Sequence, residues 1–416
     1  MATAAHVYEA VEYDLSLTAE QLEIRDTARR FAAEVMRPAG IAIDRMTPEA
    51  VIAPDSPLYT VLAKAAALGF TKLGAPAAFG GLEAAPATAH MVLEELAWGS
   101  AGLAAAISLA SYPAGAALAT GNADLIAEFS APYFSQPGAS IIGCWAITEP
   151  DHGSDTLGVM RRELKVKGRG NLIARRHGDS WVLSGQKSAW VSNAPIATIA
   201  VVNVQLESGG TLDNGGVCFV PLNLPGISRG RPLEKHGFRA LPQGEIFFDQ
   251  VRIPRRYMIA EGADYAAHVE ATLTAFNAGV GPVATGIARA AFDCALAYAK
   301  SRIQGGRPIF EHQSVRARLF RMASLVRASR ALSRDVYVYN LTRLSRGEPP
   351  RLDQSITSKV FCSDAALEVA TMGVQLHGGV GMTREYEAEM LLRDATACTI
   401  ADGENNFLGL IAASML

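Results

Sequence analysis

Residues 144–155 read CWAITEPDHGSD. The apolar run Cys144 to Ile147 passes straight into Thr148-Glu149-Pro150, and Gly153-Ser154 follows. An apolar run stopped by Pro and then Gly-Ser is the pattern of a strand that ends in a turn. Backbone N–H groups and small hydroxyls gathered at such a strand end can hold a flat polar ring edge and a pyrophosphate. The pattern continues through SWVLSG, TIAVVNVQL, GVCFVPL and EIFFDQVRIP, so residues 140–260 read as a β domain.

On either side the period changes. Residues 17–135 read helical: LTAEQLEIRDTARRFAAEVM is amphipathic, with Thr18 as N-cap, Gln21 completing a capping box, and Pro38 as the predicted stop. Asp55-Ser56-Pro57 signals a turn, and APAAFGGLEAAP (75–86) a loop. From about residue 264 long amphipathic segments return, broken at Gly305-Gly306, at 347–350 and at Gly378-Gly379. The predicted order is a helical domain over 1–139, a β domain over 140–260 and a helical bundle over 261–416.

The bulk numbers suit a globular protein. Of 416 residues, 49% are hydrophobic and 19% charged, enough to bury a large interior. A net charge of −3 supplies no overall field toward nucleic acid or an anionic membrane. Five scattered cysteines with no CxxC read as packed thiols in a reduced compartment. The start, MATAAHVYEAVEYDLSLTAEQ, has the marks of neither a signal nor a transit peptide, and no run is read as a membrane span. The expectation is a cytoplasmic enzyme with no nucleic-acid or membrane partner.

Several common fingerprints are missing. HGGVGM (377–382) and AGVGPV (278–283) do not complete GxGxxG, and neither follows a strand inside a βαβ unit. No P-loop, HExxH or GxSxG occurs. His312 and His377 have no second ligand at metal spacing, so no metal site is expected.

CWAITEPDHGSD resembles the flavin-binding stretch of the acyl-CoA dehydrogenase family, an apolar strand followed by TEPxxGSD. Other matches come in the family's order. They are LTAEQ…RDTARRFAAE near the start, SGQKSAWVSN (184–193), EKHGFR (234–239) and FFDQVRIP (247–254), then GIARAAFDCALAYAKSRIQGGRPIFEHQ (286–313), QLHGGVGMTREYEAEMLLRDA (375–395) and TIADG (399–403). The resemblance covers nearly the whole chain. It implies an α+β fold: an N-terminal α-helical domain, a central β-barrel-like or β-sandwich domain and a C-terminal four-helix bundle, with FAD between the last two. It also implies a homotetramer, a dimer of dimers, in which each FAD is partly bound by the neighbouring subunit. The implied reaction is α,β-dehydrogenation of an acyl thioester carried on CoA or on an acyl-carrier protein. A carboxylate takes the α-proton, flavin N5 takes the β-hydride, and electrons pass to an electron-transferring flavoprotein.

Residue roles follow from the resemblance. Trp145, Ile147 and Thr148 are expected along the flavin ring, Thr148 near its pyrimidine edge, and Ser154 at the pyrophosphate and the substrate side. Trp190 and Ser192 match the aromatic that covers the flavin and the hydroxyl near N5; the competing reading of Trp190 is a core tryptophan. The family's GxKxWITN is GQKSAWVSN here, one residue longer, which a β-bulge can absorb. Arg302, Gln304 and Gln313 fall where a neighbour's FAD pyrophosphate and adenosine are bound, and a guanidinium's fixed donors suit phosphate. Gly305 stands where an aromatic is usual. Gln375, Gly378 and Gly379 match QxxGGxG, whose glycines permit close backbone approach.

TIADGENNF (399–407) holds two carboxylates around Gly403. Asp402 and Glu404, two residues apart, point to opposite sides of an extended chain and about 200° apart on a helix, so one of them faces the site. Aligned with the family's I-Y-E-G-T, Asp402 falls at the base, Ala401 at the Tyr, Glu404 at the Thr, and Gly403 beside the substrate. Burial against flavin and thioester would lift the carboxyl from roughly 3.9 toward neutrality. The oxyanion donors implied are the base's own N–H and a ribityl hydroxyl. Asp is shorter than Glu, which points to a non-standard acyl group, cyclic or branched. The competing reading of Asp402 is a helix cap. An alternative family position for the base is Phe276 here, and Asn277 stands where some members carry arginine.

RRELKVKGRGNLIARRH (161–177) has seven Lys/Arg against one Glu. It reads as an inserted basic loop, either solvated or a patch for CoA phosphates or an acidic carrier protein. Two rival functions remain: an oxygen-reacting, nitroalkane-oxidase-like or monooxygenase relative, and a flavin-holding scaffold without catalysis. Gly409 stands where the basic partner of a nitroalkane-oxidase-like Asp is expected.

Overall fold

Thr18 opens the first helix, α1 (Ala19–Phe31), through the capping box read from the sequence: Thr18 N–H donates to Gln21 Oε1 at 2.8 Å, and Gln21 N–H to Thr18 Oγ1 at 3.2 Å. The computed structural model describes residue 12 and residues 14–136, 138–164 and 168–416; the start of the chain read above lies largely outside them. Pro38 does not end the helix. A π turn, Ala32–Met36, shifts the register, and the chain resumes as Arg37–Asp44 with Pro38 in its first turn, where a missing N–H costs nothing.

Helix α2 (Pro86–Gly99) ties this domain to the C-terminal bundle. Its Glu94 and Glu95 are buried, and both pair with Arg289; Arg330 also grips Glu94, Nε to Oε2 at 2.9 Å. The bundle comprises α3 (Ala263–Ser301), α4 (Gln313–Ser345), α5 (Leu352–His377) and α6 (Ala388–Cys398), followed by the short α7 (Asn405–Ala413). The glycines expected to break the pattern do so, at 305–306, 347 and 378–379.

Between the helical domains lies one eight-stranded sheet. Its strands are β1 (Gly143–Ala146), β2 (Ile173–His177), β3 (Ser180–Ser192), β4 (Ile199–Leu206), β5 (Gly215–Pro221), β6 (Ile227–Arg229), β7 (Gln243–Pro254) and β8 (Met258–Glu261). The order is β6-β7-β3-β2-β4-β5-β8, with β1 parallel to β4 on the edge it shares with β2. β4 is buried along its whole length, Asn203 and Gln205 included, and both of these polar side chains are hydrogen-bonded.

Two further readings of the sequence are corrected. The basic stretch 161–177 is not wholly an inserted loop: Ile173 to His177 form β2, antiparallel to β3, with Ala174 in the core and Arg175, Arg176 and His177 exposed. Residues 165–167 lie outside the described residues. Two helical segments, Ala101–Ala119 and Ala263–Ser301, do reach the length and apolarity of a membrane span, but 89% of the most apolar window of the second is buried inside the protein. All five cysteines are free and buried, as expected.

Candidate active site

The turn between α6 and α7 separates its two carboxylates sharply. Glu404 is the N-cap of α7: its carboxylate accepts the N–H groups of Asn406 and Phe407, each at 3.0 Å. Those bonds, Asn406's first, hold its carboxyl below the usual range. A carboxylate so committed is a poor base.

Asp402 is the opposite case. Its φ of +53° is left-handed, a conformation Asp tolerates better than most residues. Its backbone C=O accepts Asn277 Nδ2 from α3 at 3.1 Å. Among the described residues its carboxylate accepts no hydrogen bond and its N–H donates none. Burial pushes the carboxyl above the usual carboxylate range, and Lys359 draws it the other way. The helix cap that competed for Asp402 belongs to Glu404. Gly403, at φ +107°, has no room for a side chain: a Cβ there would lie 2.7 Å from Leu408 Cδ2 and 3.0 Å from Leu157 Cδ1.

Three further segments converge on this turn. Ser154, on the loop after β1, accepts Glu404 N–H at 3.0 Å, so its hydroxyl joins the TEPxxGSD loop to the turn. Trp145 stacks on Phe276 of α3, ring centroids 4.7 Å apart and planes 10° apart, and donates Nε1–H to Asn203 Oδ1 at 2.9 Å. Tyr112 meets Phe276 edge-on at 5.0 Å. Ile147, Leu157, Leu273 and Leu408 belong to the same apolar cluster.

The strand end is strapped to β3. Lys187 is fully buried, bonds Ile147 C=O at 3.0 Å and pairs with Glu149 at 2.6 Å. Glu149 also accepts the N–H groups of Asn171 and Leu172. Ser188 Oγ and Thr148 Oγ1 are 2.9 Å apart. Just beyond, β3 bulges: Lys187 pairs with Ile246 and Val191 with Gly244, so β3 advances four residues where β7 advances two. Trp190 rides on this bulge and is 58% exposed, which excludes the core reading. Gln243 Nε2 donates to Trp190 C=O and Ser192 Oγ, both at 3.0 Å, and fixes the bulge.

The remaining predicted residues gather elsewhere. Gln304 and Gln375 line one recess with Gly305, His312 and Arg318. Arg302 and Gln313 are exposed at the facing ends of α3 and α4, and Gly378 and Gly379 are exposed just past α5. Nothing lies within 4 Å of a Cβ built on either glycine. A strand end rich in hydroxyls, an exposed tryptophan on a bulge and an open, glycine-edged recess all suit a flat ring with a pyrophosphate tail.

The sequence reading missed Lys359 of α5, Asn277's bond to the turn and the Glu149–Lys187 pair. Lys359 had a signal. It falls in phase with Ile356, Ser363, Ala366 and Ala370, the buried stripe of α5, where a charged residue needs a reason. The Glu149–Lys187 pair had none, because its partners meet only across the sheet.

Comparison with known proteins agrees with this geometry. The pattern of the acyl-CoA dehydrogenase N-terminal domain matches residues 18–135, that of the middle domain 144–251 and that of the C-terminal domain 266–416. The chain belongs to the acyl-CoA dehydrogenase family; it is an oxidoreductase acting on CH–CH bonds of acyl-CoA. It is 29% identical to the mitochondrial short-chain specific acyl-CoA dehydrogenase of Bos taurus, over 99% of this chain and 92% of that one. It is 30% identical to benzylmalonyl-CoA dehydrogenase of Aromatoleum aromaticum, over 96% and 98%. A solved chain described with the electron transferring flavoprotein of Acidaminococcus fermentans superposes with a TM-score of 0.84 at 25% identity, over 97% of this chain and 99% of that one.

Proposed function

We propose that Asp402 is the base that takes the α-proton of an acyl-CoA thioester, and that the acyl group is compact, cyclic or branched. The observation that carries the first part is the contrast within one turn: Glu404 is spent on a helix cap, while the half-buried Asp402 carboxylate accepts no hydrogen bond among the described residues. A base needs a free lone pair and a pKa lifted toward the working pH, and Asp402 has both. The free Asp402 N–H is a fixed donor for the thioester oxygen as negative charge develops there. The FAD cofactor, when bound, supplies the acceptor for the β-hydride. Thr148 and Ser192 offer hydroxyls for its polar edge, and Trp190 stands ready to cover it. The stacked Trp145–Phe276 pair belongs to the apolar cluster that includes Leu408 of α7, and such a bulky wall suits a short or ring-shaped acyl group better than a long chain.

Two copies of the chain would complete each site. Asn277 and Arg302 lie about 25 residues apart along α3, roughly 37 Å at 1.5 Å per residue. That separation is longer than one dinucleotide reaches, which supports the reading that Arg302, Gln304, Gln313 and Gln375 serve a neighbour's cofactor; the assembly proposed is a homotetramer. An electron-transferring flavoprotein is the acceptor this reading implies.

The test is an anaerobic titration of flavin-loaded protein with straight, branched and cyclic acyl-CoAs, following loss of visible flavin absorbance. Bleaching by compact or cyclic esters, absent in Asp402→Asn, is expected. Bleaching of wild type and Asp402→Asn alike would remove Asp402 from its role.

A further inference from the structure

We propose that Lys359 is a positioning residue for the base: one buried ammonium that ties the 399–405 turn together and sets its charge against the Asp402 carboxylate. The inference rests on Asp402 being the base. Lys359 is fully buried on α5. An ammonium has three N–H donors. Lys359 Nζ finds three acceptors, Gly403 C=O at 2.7 Å, Asn405 Oδ1 at 2.6 Å and Thr399 C=O at 3.4 Å. All three sit on the turn, before and after Asp402. Two consecutive left-handed residues, Asp402 and Gly403, are thereby clamped from below, while Asn277 holds the turn from α3.

All three acceptors are neutral. A buried cation with no ion-pair partner is expensive unless a counter-charge lies near. The charged and titratable groups facing Lys359 are Asp402, Glu404, Asp364 and the Cys398 thiol. Glu404 is turned to the α7 cap, and Asp364 is exposed and bonded to Asn405 Nδ2. The Cys398 thiol is pushed up to about 12 by burial and stays neutral. Asp402, half-buried on the same turn, is therefore the counter-charge left to Lys359, and Lys359 draws its carboxyl down against the effect of burial. The ammonium opposes desolvation and keeps the base ionised, ready to accept a proton.

Two variants separate charge from scaffold. Lys359→Gln keeps a donor for the turn and removes the charge; Lys359→Met removes both. The readout is the pH dependence of kcat/KM in flavin-loaded enzyme, with Asp402→Asn as reference. Loss of a nearby opposite charge raises a carboxyl by roughly 1–3 pH units, so the acid limb of Lys359→Gln is expected to move up by at least about one unit. Lys359→Met is expected to show the same shift with a further loss of kcat at every pH. An acid limb that stays in place in Lys359→Gln, with Asp402→Asn inactive, would overturn the inference and leave the base reading intact. Activity retained in Asp402→Asn would overturn both.

Discussion

Asp402 and Glu404 differ by two positions and by nearly everything that matters to an acid–base group. Replacing Asp402 with Asn keeps the left-handed backbone that Asn also tolerates, so the fold is expected to hold while turnover falls by roughly 10²–10⁴-fold, the usual contribution of a general base. Glu404→Gln is expected to leave turnover within a few-fold of wild type and to lower stability by about 1 kcal/mol through the weakened cap, measured by denaturant unfolding. The Asp402 carboxyl lies above the usual range, and a base works only when deprotonated. Activity should therefore fall as pH falls through that raised value, earlier than an exposed Asp would permit. At this scale the alignment with I-Y-E-G-T points to Asp402 rather than Glu404, and the cap made by Glu404 supports that reading. It could not show Lys359, because a side chain that reaches across 40 residues to neutral carbonyls leaves no local spacing to read.

Among elements, the β1 and β3 segments carry the site because a buried pair holds them in register. Lys187→Met leaves Glu149 buried and uncompensated, and should cost about 3–5 kcal/mol in denaturant unfolding. A second buried carboxyl, Asp394 on α6, accepts Phe238 N–H at 2.7 Å and is pushed up to about 7 by burial. Its folded value lies above its unfolded one, so the folded state binds more protons between roughly pH 3.9 and 7, and stability is lost as pH rises through that window. Asp394→Asn keeps the acceptor and cannot ionise. Its melting temperature relative to wild type should climb from pH 5 to pH 7 and then level off; a constant difference would contradict this. Elements were legible where the cause is local. The Thr18–Gln21 box could be read from spacing alone, and the bulge at Trp190 from the one residue by which GQKSAWVSN exceeds the family's motif. Pro38 and β2 misled for tertiary reasons: a π turn restarts the helix under Pro38, and basic β2 is held by its pairing with β3 and β4.

For the whole molecule, the order of helical, sheet and helical regions followed from hydrophobic period, because each domain is built from one kind of element. What period could not show is that Arg302, Gln304, Gln313 and Gln375 gather around the C-terminal end of α3, while the Asp402 turn is bonded to Asn277 near the middle of that helix. If two copies share each cofactor, chains carrying Asp402→Asn and chains carrying Gln375→Arg, each defective alone, should regain activity when co-assembled. Mixing without recovery would mean that the base and Gln375 act within one chain and would contradict a shared cofactor. The central claim remains the proton taken by Asp402, and it is tested most directly by exchange at the substrate's α-carbon. Flavin-loaded protein is incubated with a compact acyl-CoA in D₂O without an electron acceptor, and deuterium in the recovered ester is read by mass spectrometry. Exchange at the α-position in wild type and its loss in Asp402→Asn is the predicted result; exchange at the wild-type rate in Asp402→Asn would contradict it.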